Sequence, residues 1–273
     1  MKRALFITGV NCFNGGYAIA ERFAREGYDI FLTSRNYESA SEAAKSISEK
    51  YDVFSKGYQL AFRDEKAVKD IFSDIDSTGR FAETVCFYAA NLGFFGANPT
   101  DGVDIFDTSV ENFQEVLDTN VIWNFMMVKQ AAERMRKEHK GAFVFISSNS
   151  AVRPNPKRVA YVASKGAMNS MSKALAVDLG KYGIRSNVVM PGTIKTERWV
   201  KMGDRQVSNG MMTPIGDISD HEDIANAVWY LGSDESKNVT GAEITVDGGM
   251  TCQIWPEILG KYRAEEINKS SKD

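Results

Sequence analysis

The sequence has few cysteines and no long apolar run. Its three cysteines, Cys12, Cys86 and Cys252, are scattered and form no CxxC pair, which is typical of reduced thiols in the cytosol. No run of about 18 apolar residues occurs, and the apolar stretch after Met1 ends by Thr8, which is too short for a signal peptide. We therefore expect a cytoplasmic protein with no metal site and no membrane partner.

An excess of positive charge is also missing. Lysine and arginine total 33 against 36 acidic residues, so the net charge of −3 provides no basic surface for nucleic acid. Hydrophobic residues make up 43% and charged residues 25% of the 273, an ordinary composition that excludes a disordered chain. A globular protein that binds small molecules is the expected class.

Short apolar runs alternate with longer helical patterns along the whole chain. This order predicts a single Rossmann-type domain, with a doubly wound parallel sheet of about seven strands and helices on both faces. We expect this domain over residues 1–250, a substrate lid over 193–219 and a C-terminal tail over 251–273. The predicted strands are 4–8, 29–33, 55–61, 84–89, 142–147, 186–190 and 243–246. The predicted helices are 18–26, 37–50, 65–76, 109–137, 159–181 and 220–231.

A glycine-rich turn, TGVNCFNGGY over residues 8–17, joins the first predicted strand to the first helix. Glycines let backbone amides approach a pyrophosphate, and the positive end of the helix dipole favours the anion. Such a turn can also need glycine only for positive φ. Its place after the first strand favours nucleotide binding. The expected coenzyme contacts are Gly9, Asn11, Asn14, Gly15 and Gly16.

The end of the second predicted strand indicates which coenzyme binds. An NAD site usually has an acidic residue here to hold the ribose hydroxyls, but this sequence reads Thr33-Ser34-Arg35-Asn36. A guanidinium can hydrogen-bond and neutralise a 2′-phosphate, although a solvated arginine is the alternative interpretation. We therefore expect NADP(H), held by Ser34 and Arg35, with NAD(H) as a possible coenzyme.

The sequence Tyr161-Val162-Ala163-Ser164-Lys165 places a phenol and an amine one helical turn apart. A nearby ammonium stabilises the phenolate, so it lowers a tyrosine pKa from about 10 toward a range useful for acid/base catalysis. The pair alone is weak evidence, because this spacing is common on amphipathic helices. The motifs that surround the Tyr161–Lys165 pair make the catalytic interpretation specific.

These motifs occur in the order typical of one enzyme family. Phe145-Ile146-Ser147-Ser148 ends a predicted strand thirteen residues before Tyr161, Asn120 lies in a predicted helix, and a PGTIKT segment occupies residues 191–196. Asp223-Ile224-Ala225 and the segments 239–241 and 247–249 follow. Over residues 3–250 the chain resembles the classical short-chain dehydrogenases/reductases.

The resemblance implies an NAD(P)-dependent oxidoreductase that interconverts a carbonyl and an alcohol, assembled as a homotetramer or homodimer. It implies a catalytic set of Asn120, Ser148, Tyr161 and Lys165, in which Tyr161 transfers the proton, Ser148 orients the substrate and Asn120 holds a water. Lys165 would also bind the nicotinamide ribose. Further coenzyme contacts implied by the resemblance are Ala89, Ala90, Tyr161, Lys165, Pro191, Gly192, Ile194 and Thr196.

Three features depart from the family pattern. The glycine turn is one residue longer than usual, and Asn14, near the usual middle glycine, is expected to adopt left-handed geometry. The family's Asn-Asn-Ala-Gly after the fourth strand appears as Phe87-Tyr88-Ala89-Ala90. Ala61 replaces an adenine-contacting aspartate, and Asp64 is better interpreted as a helix cap. We expect an atypical adenosine pocket.

Bulky apolar residues near the predicted strand ends favour a large apolar substrate of the kind used by a hydroxysteroid dehydrogenase or a polyketide ketoreductase. The expected substrate contacts are Phe94, Phe95, Ser148, Trp199 and Met202. Core packing explains some of these residues equally well. A 3-oxoacyl thioester reductase and a catalytically inactive dinucleotide-binding sensor or scaffold remain alternatives. An enoyl reductase fits less well, because such relatives space the tyrosine and lysine more widely.

Overall fold

Seven parallel strands form one sheet in the order β3-β2-β1-β4-β5-β6-β7. The description rests on a computed structural model, which describes residues 1–12, 14–61, 64–90, 102–196, 210–257 and 261. The prediction of a doubly wound sheet of about seven strands is confirmed. The strands are β1 Lys2–Ile7, β2 Asp29–Ser34, β3 Ser55–Gln59, β4 Arg80–Phe87, β5 Gly141–Ile146, β6 Ile184–Pro191 and β7 Glu243–Val246.

Helices cover both faces of the sheet. Successive side chains of a strand point to opposite faces, and both sets are apolar in most strands, so both faces must be covered. Leu5 and Ile7 of β1 pack into one apolar cluster with residues of α1, α2 and α7. Ala4 and Phe6 pack into the other cluster with residues of α3, α5 and α6. The helices are α1 Gly15–Arg25, α2 Tyr37–Tyr51, α3 Glu65–Ser77, α4 Val110–Leu117, α5 Trp123–Glu138, α6 Val159–Leu179 and α7 His221–Gly232.

Polar side chains fix the starts of several helices. Asn36 begins α2 by accepting a hydrogen bond from the Ser39 amide at 2.8 Å. Asp64 accepts from the Ala67 amide at 2.8 Å, which confirms its predicted role as the cap of α3. These caps satisfy amides that have no partner within the helix.

The predicted helix over residues 109–137 is interrupted. A π-helical turn at Asp118–Ile122 separates α4 from α5. Such a turn inserts one extra residue and is often found at functional sites. Here it surrounds the fully buried Asn120, whose side chain faces α6 and donates to the Ser164 hydroxyl at 2.9 Å. A pattern of apolar spacing cannot distinguish this insertion from continuous α-helix.

The winding of the sheet reverses between β1 and β4, which are neighbours in the sheet although they are not consecutive in the chain. All strands are parallel, so their carboxyl ends lie along one edge. Ligands of doubly wound sheets bind in the crevice at such a reversal. The site is therefore expected at this edge of the sheet, beside β1 and β4.

None of the helices in the described ranges is long and apolar enough to cross a membrane. The predicted lid at 193–219 lies partly outside these ranges, because residues 197–209 are not described.

Candidate active site

Tyr161 and Lys165 lie one turn apart on α6, beneath the carboxyl edge of the sheet. Both are buried, with 7% and 2% of their surfaces exposed. The Lys165 ammonium lies 5.5 Å from the centroid of the Tyr161 ring. The predicted juxtaposition of phenol and amine is therefore present, and water is largely excluded from both groups.

Ser148 connects the end of β5 to Tyr161. It lies two residues after the strand, and its hydroxyl accepts a hydrogen bond from the Ser150 amide at 3.1 Å. The Ser148 side chain is also close enough to the Tyr161 phenol to lower the pKa of that phenol. The two hydroxyls therefore lie near each other, an arrangement that can bind a single substrate oxygen.

Lys165 forms no ion pair with a carboxylate of the described residues. Its ammonium donates to the Ile146 carbonyl at 2.7 Å and lies 3.7 Å from the Met168 sulfur. Burial lowers the pKa of Lys165 to about 7, because a charged amine is disfavoured where water is excluded. Its charge is thus sensitive to pH near neutrality.

The expected lowering of the Tyr161 pKa is not found. Burial raises the pKa above 10, and the hydrogen bond from Ser148 and the charge of Arg158 offset this only in part. Lys165 points to the Ile146 carbonyl rather than to the phenol oxygen, so its charge does not outweigh burial. Tyr161 is therefore protonated at neutral pH, the form required to donate a proton to a carbonyl oxygen.

Asn120 lies behind the tyrosine rather than beside its hydroxyl. Its amide donates to Ser164, and the Ser164 hydroxyl donates to the Tyr161 backbone carbonyl at 2.7 Å. The Asn120 backbone carbonyl accepts from the Asn124 side chain at 2.8 Å. The bonds through Ser164 tie the π turn to α6 at the level of Tyr161. The water-holding role of Asn120 stays a prediction.

The glycine turn is held by Asn14. Its side chain accepts from the Tyr17 amide at 3.2 Å and donates to the Gly9 carbonyl at 2.7 Å. Asn14 is extended, with φ −117°, so the expectation of left-handed geometry is wrong. The physical reason is that a residue capping a helix needs extended backbone to direct its side chain to the first amides. Gly9 has a positive φ of +74°.

Tyr88 occupies a place in the turn that the sequence did not predict. Its hydroxyl accepts a hydrogen bond from the Gly15 amide at 3.2 Å. Burial is the main reason why the pKa of this phenol is raised. The only sequence signal was an aromatic residue where the family has asparagine, and this does not reveal the direction of the side chain.

The other predicted coenzyme residues lie at the carboxyl edge. Ser34 ends β2 and Arg35 follows it on the surface. Ala89 donates its amide to the Thr8 hydroxyl at 3.1 Å, and Ala90 and Asn11 are exposed. Residues that end or follow β6 are the buried Pro191 and the half-buried Gly192, Ile194 and Thr196.

Four of the five predicted substrate contacts cannot be placed. Phe94, Phe95, Trp199 and Met202 lie outside the described residues. A groove of about 870 Å³ lies between the end of β7 and the start of α7, but neither Tyr161 nor Ser148 lines it. The candidate site is at Tyr161, where the Ser148 hydroxyl and the buried amine of Lys165 also lie.

The carboxyl edge suits an anionic dinucleotide in two respects. The first turn of α1 carries no acidic residue, so the positive end of its dipole is not neutralised. The turn also passes close to β4, and a Cβ atom on Gly9 would lie 2.8 Å from the Cβ of Ala89. Within the described residues, no group of three or more histidine, cysteine or acidic side chains could hold a metal ion.

Comparison with known proteins identifies the family. Residues 15–251 match a family model described as enoyl-(acyl carrier protein) reductase. An NADP-dependent (R)-specific alcohol dehydrogenase of Lentilactobacillus kefiri is 35% identical over 243 residues, which are 87% of this chain and 92% of the relative. The chain belongs to the short-chain dehydrogenase/reductase family. It is an NAD(P)-dependent oxidoreductase that acts on CH–OH and C=O groups.

Two further matches extend the comparison. A 7alpha-hydroxysteroid dehydrogenase of Clostridium sardiniense is 32% identical over 236 residues, covering 86% of this chain and 88% of the relative. A solved structure, ElxO with NADP bound, superposes with a TM-score of 0.82 at 27% identity, over 93% of this chain and 100% of that chain. This short-chain dehydrogenase/reductase therefore shares sequence and fold with enzymes of several substrates.

Proposed function

We propose that this enzyme transfers a hydride between NADP(H) and the carbonyl or secondary alcohol of a bulky apolar substrate. The observation that carries the proposal is the buried Tyr161, which has the Ser148 hydroxyl close to its phenol and the buried Lys165 amine 5.5 Å from its ring centroid. Such a pair provides two hydroxyls for one oxygen and excludes the water that would compete for it.

Nicotinamide, when bound, supplies the hydride exchange at the substrate carbon. Tyr161 donates its phenolic proton to the oxygen during reduction and takes it back during oxidation. Ser148 donates a hydrogen bond to the same oxygen and orients it. Lys165 holds its amine 5.5 Å from the centroid of the Tyr161 ring and would also bind the nicotinamide ribose.

The preference for NADP(H) is supported by Arg35. It is exposed directly after β2, where its guanidinium is available to a 2′-phosphate, and no acidic residue occurs in the segment Thr33-Ser34-Arg35-Asn36. The NADP dependence of the Lentilactobacillus kefiri relative points the same way. Gly9, Asn14, Gly15 and Gly16 would hold the pyrophosphate.

Replacing Arg35 with serine is expected to raise the KM for NADPH by about 10- to 100-fold, the effect of losing a charge-assisted hydrogen bond to phosphate. The KM for NADH should change by less than about threefold, because NADH lacks the 2′-phosphate. Steady-state kinetics with both coenzymes measure this. The matched control is Arg136→Ser, an exposed arginine paired with Glu133 on α5. Equal losses for NADPH and NADH would contradict the assignment.

The bulky apolar substrate is supported by two relatives, the 7alpha-hydroxysteroid dehydrogenase and a 3alpha-hydroxysteroid dehydrogenase of Mediterraneibacter gnavus that is 28% identical. We expect kcat/KM for a steroid or ring ketone to exceed that for sugar carbonyls by at least about tenfold, since apolar contacts give discrimination of this size. Following NADPH absorbance across steroid, acyl thioester and sugar carbonyls measures this ratio.

The same panel separates the alternatives. Fastest turnover of a 3-oxoacyl thioester would identify a thioester reductase instead. Coenzyme binding without turnover of any substrate would favour a sensor or scaffold. A far higher kcat/KM for small polar sugars would contradict the apolar-substrate proposal.

A further inference from the structure

The ring of Tyr88 lies against the glycine turn. A Cβ atom on Gly15 would lie 2.8 Å from the Tyr88 hydroxyl, and one on Gly16 would lie 3.1 Å from the ring carbon Cδ1. A side chain at either position would therefore have to displace this ring or its hydroxyl. The turn and the residue after β4 form one packed unit, with the phenol covering the start of α1.

The hydroxyl of Tyr88 is bonded to the amide that begins this helix. Gly15 is the first residue of α1, and its N–H donates to the Tyr88 oxygen at 3.2 Å. The first amides of a helix have no partner within it, and they are the donors that a bound phosphate uses. The phenol oxygen and a pyrophosphate oxygen therefore compete for the same N–H.

We propose that Tyr88 sets the affinity for the coenzyme by occupying the amide donor of the pyrophosphate site. The Tyr88 hydroxyl weakens coenzyme binding, because it must release the Gly15 amide before the pyrophosphate can accept a hydrogen bond from that amide. This role rests on the proposed function. The hydroxyl thereby favours coenzyme release, while the ring keeps the turn in place.

Replacing Tyr88 with phenylalanine tests this, because it removes the competing oxygen and keeps the ring. The Kd for NADPH, measured by titration calorimetry without substrate, is expected to fall about two- to tenfold, the worth of one neutral hydrogen bond. Tyr51→Phe is the matched control. It removes a partly buried phenol at the end of α2 that is hydrogen-bonded to Glu21 at 3.1 Å, and leaves the Gly15 amide untouched, so its Kd should match that of the wild type.

Two coenzyme fragments locate the effect. The fragment 2′-phospho-ADP-ribose contains the pyrophosphate and should gain affinity in Tyr88→Phe as NADPH does, whereas 2′-AMP lacks it and should not. An unchanged or raised Kd for NADPH, or an equal gain for 2′-AMP, would overturn the role of Tyr88 and leave the proposed function standing. Failure of the wild type to bind NADPH or NADH would overturn both.

Discussion

Replacing Tyr161 with phenylalanine is expected to lower kcat for carbonyl reduction by about 10²- to 10⁴-fold, the usual contribution of a positioned proton donor. The substitution removes the phenol hydroxyl near Ser148 and keeps the buried ring. The Kd for NADPH should change little, because the glycine turn and Arg35 are unaffected. Single-turnover absorbance of NADPH measures the chemical step directly.

The control for this variant is Tyr51→Phe, which removes a phenol at the end of α2 that is bonded to Glu21 rather than to the candidate site. It should retain wild-type turnover. If Tyr161→Phe kept more than about a tenth of the wild-type rate, proton transfer by this residue would be excluded, since the variant has no group that can donate a proton at that position.

Replacing Lys165 with methionine is expected to have opposite effects on activity and stability. Turnover should fall by at least about a hundredfold, because the amine beside the tyrosine is lost. The free energy of unfolding at pH 6 should rise by about 1 kcal/mol or more, equivalent to at least ~2 °C in Tm, because the folded wild type must bury an ammonium with 2% of the residue exposed.

The direction in which stability changes with pH follows from the lowered pKa of Lys165. The pKa of Lys165 is about 7 in the folded protein and about 10.4 in an unfolded chain, so between these values the unfolded state binds more protons. Wild-type stability therefore rises with pH through this window, and the penalty is complete below pH 7 and absent above about pH 10.4. The advantage of the methionine variant should disappear by about pH 10, where it also lacks the hydrogen bond to Ile146.

Thermal unfolding of both proteins between pH 6 and pH 10 measures this difference. Lys173→Met on the same helix is the matched control, because its amine is exposed and paired with Glu243. That variant should shift Tm by about the same small amount at every pH. A Tm difference for Lys165→Met that grew with pH would contradict a buried amine of lowered pKa.

The sheet and the main site were predictable because they depend on local patterns. Most strands of the parallel sheet are short apolar runs, and Asp64 caps α3 through a bond to a residue only three positions along the chain. Tyr161 and Lys165 share a helix, so their spacing alone places them on one face. The family and the reaction class predicted from these motifs are confirmed.

Features that depend on packing between distant segments were not predictable. Tyr88 meets Gly15 across 73 positions of sequence, and the π turn at Asn120 is linked to Ser164 across 44. The Tyr161 pKa depends on how completely the fold excludes water from the phenol. The spacing of tyrosine and lysine in the sequence does not predict this. The roles of the individual site residues, the substrate contacts, the lid and the assembly into homotetramers or homodimers stay predictions.

A crystal structure with NADP⁺ and an unreactive ketone analogue tests whether Tyr161 and Ser148 bind the reacting oxygen beside the coenzyme. The ketone oxygen is expected to lie about 2.6–3.2 Å from both hydroxyls, with the nicotinamide C4 facing the ketone carbon. A nicotinamide bound away from Tyr161, or a ketone oxygen that contacts neither hydroxyl, would show that these two residues do not bind the reacting oxygen.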